Sequence, residues 1–398
     1  MVCSDRNEFV GVFAVIESTV TNINPQQRHR LRFHITVAEG EGPDFRERCD
    51  RLYPNPPFGI EVKEFHPDDF LRQNICVRNS DAQYVKYMSN VMNFSRFHLG
   101  ELYPTLGKVV YLDTDVIVKG DISELYDSTP VGGVEDFMFA AVPFSNFYHL
   151  GGFDQTSPLL KSLDFSKDAF NAGVYVTDLG EWNRRSILPH IRLIMLAHKE
   201  AQNPLFGFGT QPILNLIFYE SFYKLAPSWN FVDLGCRPHL DRNPAFHTAK
   251  ILHWSGLQKP WLREGLYQRH WRPYDRSHGD RDVLYPVDMK SETGFCYMVE
   301  IPEHSDSADN EMNRTRSMYR LYEDDVELSS PHVLHDEIRK WGSGRYSHWK
   351  TTLYFSASDN SDPTTNGKKY RLRDPRQESG EGAEKLRNER LAVVVGPT

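Results

Sequence analysis

The chain has no Cys-x-x-Cys pair, which removes the spacing a zinc ribbon or a thioredoxin-like motif needs. Its five cysteines, Cys3, Cys49, Cys76, Cys236 and Cys296, are widely spaced and odd in number. They allow at most two disulfides and do not decide a redox compartment. A long apolar run is also missing, so no segment reads as a membrane-spanning helix. The first residues turn polar at once in Cys3-Ser-Asp-Arg-Asn-Glu8, which is no signal-peptide pattern. Read literally this is a soluble cytosolic chain, although it starts abruptly, as if inside a first strand. Basic residues are outnumbered, with a formal net charge of −8, and this argues against a general nucleic-acid partner. No glycine-rich phosphate loop stands near the N-terminus, as a nucleotidyltransferase would need, and no internal repeat is visible.

What is present is enough for a sizeable core: 398 residues, of which 39% are hydrophobic and 13% aromatic. Phe9 to Val20 has apolar residues at helical spacing, and Leu31 to Val37 reads as a strand. Residues 60–66 suggest another strand. Residues 81–103 suggest one helix ended by Pro104, and residues 137–142 a further strand. The β-α-β-α-β order predicts an α/β fold with a mainly parallel central sheet flanked by helices. Asn183 to Lys199 reads as a helix. Thr210 is expected to cap another, with Pro212 in its first turn.

The most informative stretch is Lys108-Val-Val-Tyr-Leu-Asp-Thr-Asp-Val-Ile-Val118. A strand runs into two carboxylates, Asp113 and Asp115, spaced i, i+2. On extended backbone such residues share one side, so both can address a hard cation at a strand end, where open α/β sheets place ligands. Asp121-Ile-Ser-Glu124 has the form of a capping box opening the next helix. His253 lies in an apolar strand-like run before Gly256 and Lys259. An imidazole added to two carboxylates suits manganese better than magnesium, which remains the alternative. Taken singly, each of these residues has a plain structural reading: a loop aspartate, a satisfied core histidine, a turn glycine.

Together, Asn93-Phe-Ser-Arg96, Tyr111-Leu-Asp-Thr-Asp115, Phe170-Asn-Ala-Gly173, Gln211 with Asn215, and His253-Trp-Ser-Gly-Leu-Gln-Lys-Pro-Trp261 resemble glycosyltransferase family 8 in order and spacing. The resemblance covers roughly residues 1–275 and is closest to the galacturonosyltransferase-like and glycosyltransferase-8-domain branches. It implies a GT-A type nucleotide-diphospho-sugar transferase fold and retaining, manganese-dependent transfer of a hexosyl, uronosyl or pentosyl group. The partners implied are a UDP-sugar donor and a glycan or glycoconjugate acceptor.

By the same resemblance Asp113, Asp115 and His253 hold the metal. Asp5 and Asn7 match the uridine-contacting segment, and Arg96 an arginine that reaches donor sugar and phosphates. Asn171 and Gly173 match the loop beside the sugar, Gly256 and Lys259 the diphosphate clamp, and Gln211 the residue on the sugar's reacting face. Many relatives carry an acid just before that glutamine, where this chain has Thr210. The family implies the Golgi or secretory lumen. A non-catalytic UDP- or sugar-binding member of the same fold is the alternative reading.

The expected layout is a catalytic domain over 1–280, a linker over 281–316, and a C-terminal extension over 317–398, with 357–391 mostly disordered. Of the two sequons, Asn93-Phe-Ser sits in the expected helix, so Asn313-Arg-Thr is the better glycan acceptor.

Overall fold

The computed structural model describes residues 1–374 except 80, 133–136, 146, 148–151, 263, 277–282 and 285–288. The chain divides into two compact units, Met1–Ser277 and His278–Thr398.

The first unit opens with β1 (Val2–Ser4), α1 (Phe9–Asn22), β2 (Arg32–Ala38) and β3 (Gly59–Phe65). These strands pair in parallel, in the order β1-β2-β3. Next come β4 (Lys108–Leu112), β5 (Val116–Val118), α2 (Ile122–Ser128), β6 (Phe139–Phe144) and β7 (Ala169–Asp178). Then follow α3 (Ile187–Glu200), α4 (Thr210–Ile217), β8 (Tyr223–Lys224) and β9 (Ile251–His253).

The second sheet, ordered β4-β7-β6-β8, is largely antiparallel. The parallel arrangement expected of the whole sheet is therefore concentrated at the N-terminal end. Two backbone bonds tie β1 to β4: the Met1 ammonium donates to Val110 O at 2.8 Å, and Leu112 N to Met1 O at 2.9 Å. α1 buries Phe9, Val12, Phe13, Val15 and Ile16 against the Val and Ile side chains of β1, β2, β5 and β7.

Several local expectations are revised. The segment 81–103 is not one helix. It breaks into Ala82–Met88, Val91–Phe94 and short turns after, because Asn90 turns its side chain back to cap Met92 N at 3.0 Å. The helix expected over Asn183–Lys199 breaks at Ser186, whose φ of 52° separates Leu179–Arg184 from α3. Gly209, not Thr210, is the cap of α4. Asp121 does cap α2 by accepting from Ser123 N at 2.9 Å. Glu124 does not complete a capping box, since its carboxylate is drawn to Lys250 instead.

The second unit holds two antiparallel four-stranded sheets. One is β10-β17-β13-β14 and comprises Val283–Leu284, Tyr370–Arg373, Arg320–Glu323 and Val326–Glu327. The other is β11-β12-β16-β15, comprising Lys290–Ser291, Tyr297–Glu300, Thr352–Phe355 and Tyr346–Trp349. Leu321, Leu353, Phe355 and Tyr370 lie in its core. The stretch 281–316 thus carries strands where a linker was expected. Its polar composition hid this because β12 finds its partner in β16, about fifty residues on. Residues 357–374 are also ordered into the sheet through β17, whereas the remainder of the segment expected to be disordered lies outside the described residues, as does the 280/281 boundary.

Candidate functional site

The site forms where the chain changes sheet partners. β4 pairs with β7, whereas β5 pairs with β9. The three residues between them, Asp113-Thr-Asp115, make the turn that this switch requires. Asp113 N donates to Gly173 O, and Trp254 N to Asp115 O, both at 2.8 Å. The two carboxylates converge because of this clamped turn and not, as their spacing suggested, because they share one face of an extended strand.

His253 ends β9 beside them. Its Nε2 stands 3.3 Å from Asp115 and 4.0 Å from Asp113. Ligand atoms from Asp113, Asp115 and His253 all lie within 4.8 Å of one another. Two carboxylate oxygens and an imidazole nitrogen, Asp115 and His253 buried and Asp113 half-buried, form a donor set that can hold a divalent cation.

Two cations of the chain flank this set. Arg96 donates to Asp113 at 2.8 Å, to Ala172 O at 3.0 Å and to Asn93 O at 3.0 Å, with its guanidinium over the Tyr111 ring. Sequence reading sent Arg96 to a donor substrate, and here its first task is to hold Asp113. Lys259 is almost fully buried, pairs with Asp115 and donates to Trp254 O at 3.2 Å. Burial pushes Asp115 toward neutrality, but Lys259 and His253 outweigh it and hold the carboxyl far below its ordinary range. Burial would lower Lys259, yet Asp115, with Tyr87 and Glu8, holds it well above its ordinary value. The pair is therefore ionised at neutral pH.

The Asn171–Gly173 stretch of β7 sits directly against the ligands, where the β6–β7 register is irregular, so the loop expected beside the sugar is strand here. Asn171 Oδ1 accepts from Gly173 N at 3.0 Å and from Asn230 Nδ2 at 3.1 Å. A Cβ on residue 173 would stand 2.2 Å from His253 Cε1, so only glycine fits. Gln211 Oε1 accepts from Ala172 N at 3.0 Å. Gly256 has φ +119°, and a Cβ there would meet Gly235 O at 2.5 Å, so the tight bend toward Lys259 also requires glycine.

Asp5 caps its own turn through Asn7 N at 2.9 Å and accepts from Asn90 Nδ2 at 2.5 Å. Asn7 itself is exposed. The link from this turn to the carboxylates is Glu8, which accepts from Thr114 Oγ1 at 2.8 Å and from Tyr87 OH at 3.3 Å. Burial raises the Glu8 carboxyl.

Sequence reasoning missed four residues of this network: Glu8, Tyr87, Thr114 and Asn230. Asn230 accepts from His253 Nδ1 at 2.9 Å. Nothing in their local spacing marked them, although a buried Asn beside an apolar strand was a usable signal. The second sequon behaves as expected in one respect, since Asn313 is exposed whereas Asn93 uses its side chain on Tyr87 O at 2.9 Å.

This fold is of GT-A type, and the site is the kind of carboxylate–histidine cluster at which a sugar-nucleotide transferase would hold its metal. The family model described as Glycosyl transferase family 8 matches residues 1–265, and the chain belongs to that family. It is 32% identical over 200 residues to human Glycosyltransferase 8 domain-containing protein 1, covering 46% of this chain and 54% of that protein. It thus spans about half the length of that relative. To the mouse Glycosyltransferase 8 domain-containing protein 2 it is 32% identical over 295 residues, 69% of this chain and 80% of the other.

Among solved structures, the galactosyltransferase LgtC in complex with donor and acceptor sugar analogs aligns with a TM-score of 0.51 at 19% identity, covering 69% of this chain and 94% of LgtC. The apo bifunctional glycosyltransferase WbbM gives a TM-score of 0.50 at 19% identity, covering 69% and 48%. At that identity these likenesses speak for the fold. No helix among the described residues is long and apolar enough to cross a membrane.

Proposed function

We propose that this chain is a manganese-dependent retaining glycosyltransferase that moves a hexosyl, uronosyl or pentosyl group from a UDP-sugar to a glycan or glycoconjugate. The observation that carries the reading is the convergence of Asp113, Asp115 and His253 between Arg96 and Lys259. Five charged or ligating groups from distant parts of the chain meet at one point, as a diphosphate and its cation require. Bound there, the cation would neutralise charge developing on the departing UDP.

The chain's own residues divide the remaining work. Asp5 and Asn7 take the uridine. Lys259, presented by the Gly256 bend, takes the diphosphate. Asn171 and Gly173 line the donor sugar. Arg96 orients Asp113 and, by family resemblance, meets the donor. Retaining enzymes that act through a covalent intermediate place two carboxyl groups about 5 Å apart. Gln211 is no such nucleophile. Its carbonyl oxygen is engaged by Ala172 N, so it offers its amino group to the sugar's reacting face. Attack therefore takes place on the face that UDP leaves. The acceptor oxygen bonds to the anomeric carbon as the bond to the phosphate oxygen breaks, and that oxygen takes the acceptor proton. The family resemblance supports the Golgi or secretory lumen as the compartment.

The test is UDP release by the full chain from a panel of UDP-sugars, with manganese and with chelator, in the presence of glycan acceptors. Manganese-dependent release from one donor is expected and names the sugar. Failure to bind UDP with manganese present overturns the reading.

A further inference from the structure

We infer that Asn230 is a positioning residue that fixes the ring of His253 for the metal and joins it to Asn171 on β7. The inference rests on the metal reading above and goes beyond it to a residue outside the ligand set. It starts from the one group in the network whose role cannot be reversed. A backbone N–H only donates. Gly173 N points at Asn171 at 3.0 Å, so the atom it meets is the carbonyl oxygen Oδ1. The same oxygen stands 3.1 Å from the side chain of Asn230, which must therefore present its Nδ2–H. That leaves Asn230 Oδ1 on the side of His253, 2.9 Å from Nδ1. An oxygen acceptor there requires a proton on Nδ1. Nε2, which faces Asp115 at 3.3 Å and Asp113 at 4.0 Å, is the ring nitrogen left for a cation held between the carboxylates. A backbone amide three hydrogen bonds away thus keeps the proton on Nδ1 and turns Nε2 to the metal site.

The surroundings keep the relay rigid. Asn230 is 4% exposed, so water does not substitute for its partners. Phe231 N donates to Ile251 O at 3.0 Å, and His253 N to Phe231 O at 2.9 Å, so the backbones of 231 and 253 are laced together. The absence of a Cβ at Gly173 lets the His253 ring lie against this stretch of β7.

Two variants separate positioning from simple packing. Asn230→Leu keeps the branched shape and removes both hydrogen bonds. Asn230→Asp keeps an acceptor for Nδ1 and replaces the donor to Asn171 with a charged oxygen. Three quantities are read: manganese affinity by electron paramagnetic resonance without nucleotide, the ¹⁵N shifts of the His253 ring without metal, and the thermal midpoint. In Asn230→Leu, manganese binding weakens about 10–100-fold, the range seen when such supporting partners are removed. The His253 Nδ1 signal moves from that of a protonated nitrogen toward that of an unprotonated one. Asn230→Asp binds manganese as well as the parent and keeps Nδ1 protonated.

Parent-like manganese affinity in Asn230→Leu overturns the inference, and so does an equal loss in both variants. Should the parent bind no manganese, the metal reading fails separately, and the ring spectrum then decides. A proton held on Nδ1 in the parent and lost in part in Asn230→Leu upholds the role of Asn230, whereas identical spectra remove it.

Discussion

Gly173→Ala adds one methyl group at the point where the fold leaves no room for it. The new Cβ would lie 2.2 Å from His253 Cε1 and 2.8 Å from Asp113 Oδ2. Carbon atoms in contact need about 3.5 Å, so the shortfall at the ring is about 1.3 Å. Neither side gives easily. Gly173 is pinned by Asp113 N on its carbonyl, and His253 is held by Asn230 at Nδ1 and by β5 along its backbone. If the ring moves, Nε2 is displaced, and if Gly173 moves, Asp113 follows through its N–H; either shift far exceeds the roughly 0.2 Å that a metal–ligand distance tolerates. The strain itself costs about 1–3 kcal/mol, as overpacking in tight interiors does. Gly173→Ala should therefore lose about tenfold or more in manganese affinity, the scale of a misplaced ligand, and unfold at lower urea. Paired metal titration and urea denaturation check both. Parent-like manganese affinity in a folded Gly173→Ala protein would refute the placement of Asn171–Gly173 on β7 against His253.

Two further outcomes follow from the same geometry. Asp115→Ala leaves the buried Lys259 ammonium without its carboxylate and should cost about 3–5 kcal/mol, so the fold does not pass through this change untouched. Adding Lys259→Met should restore much of the loss in urea midpoints, and no restoration would count against the pair. Finally, among the described residues the second unit's core is drawn from 284–372, so residues 1–277 alone should unfold in one cooperative transition with native-like near-ultraviolet dichroism. A molten or aggregated 1–277 would contradict independent cores.

Short-range signals in the sequence were dependable where the physics is short-range. The apolar spacing of Phe9 to Val20 gave α1, and the β-branched run before Val37 gave β2, because each buries its own stripe or face. Asp121 announced α2 because a cap acts on the next residues. The failures occurred where distant partners compete. Asn90 breaks a long helical pattern by bonding locally. Glu124 leaves its capping box for Lys250, which lies 126 residues away in sequence. The strand Tyr297–Glu300 was hidden because it pairs with β16, more than fifty residues on.

The sequence by itself determined the family, the α/β class and the metal-ligating residue types, since these are carried by ordered motifs whose identities survive any folding detail. Tertiary structure alone decided how those residues meet. It turned the Asp113–Asp115 segment where β4 and β5 take different partners, set Arg96 on Asp113, and brought Lys259 to Asp115 across 144 residues. It also recruited Asn230 and Glu8, which no motif marked. A buried charge or imidazole is oriented by whatever polar atom the packed chain places beside it, and that neighbour is fixed by long-range packing that local spacing does not encode.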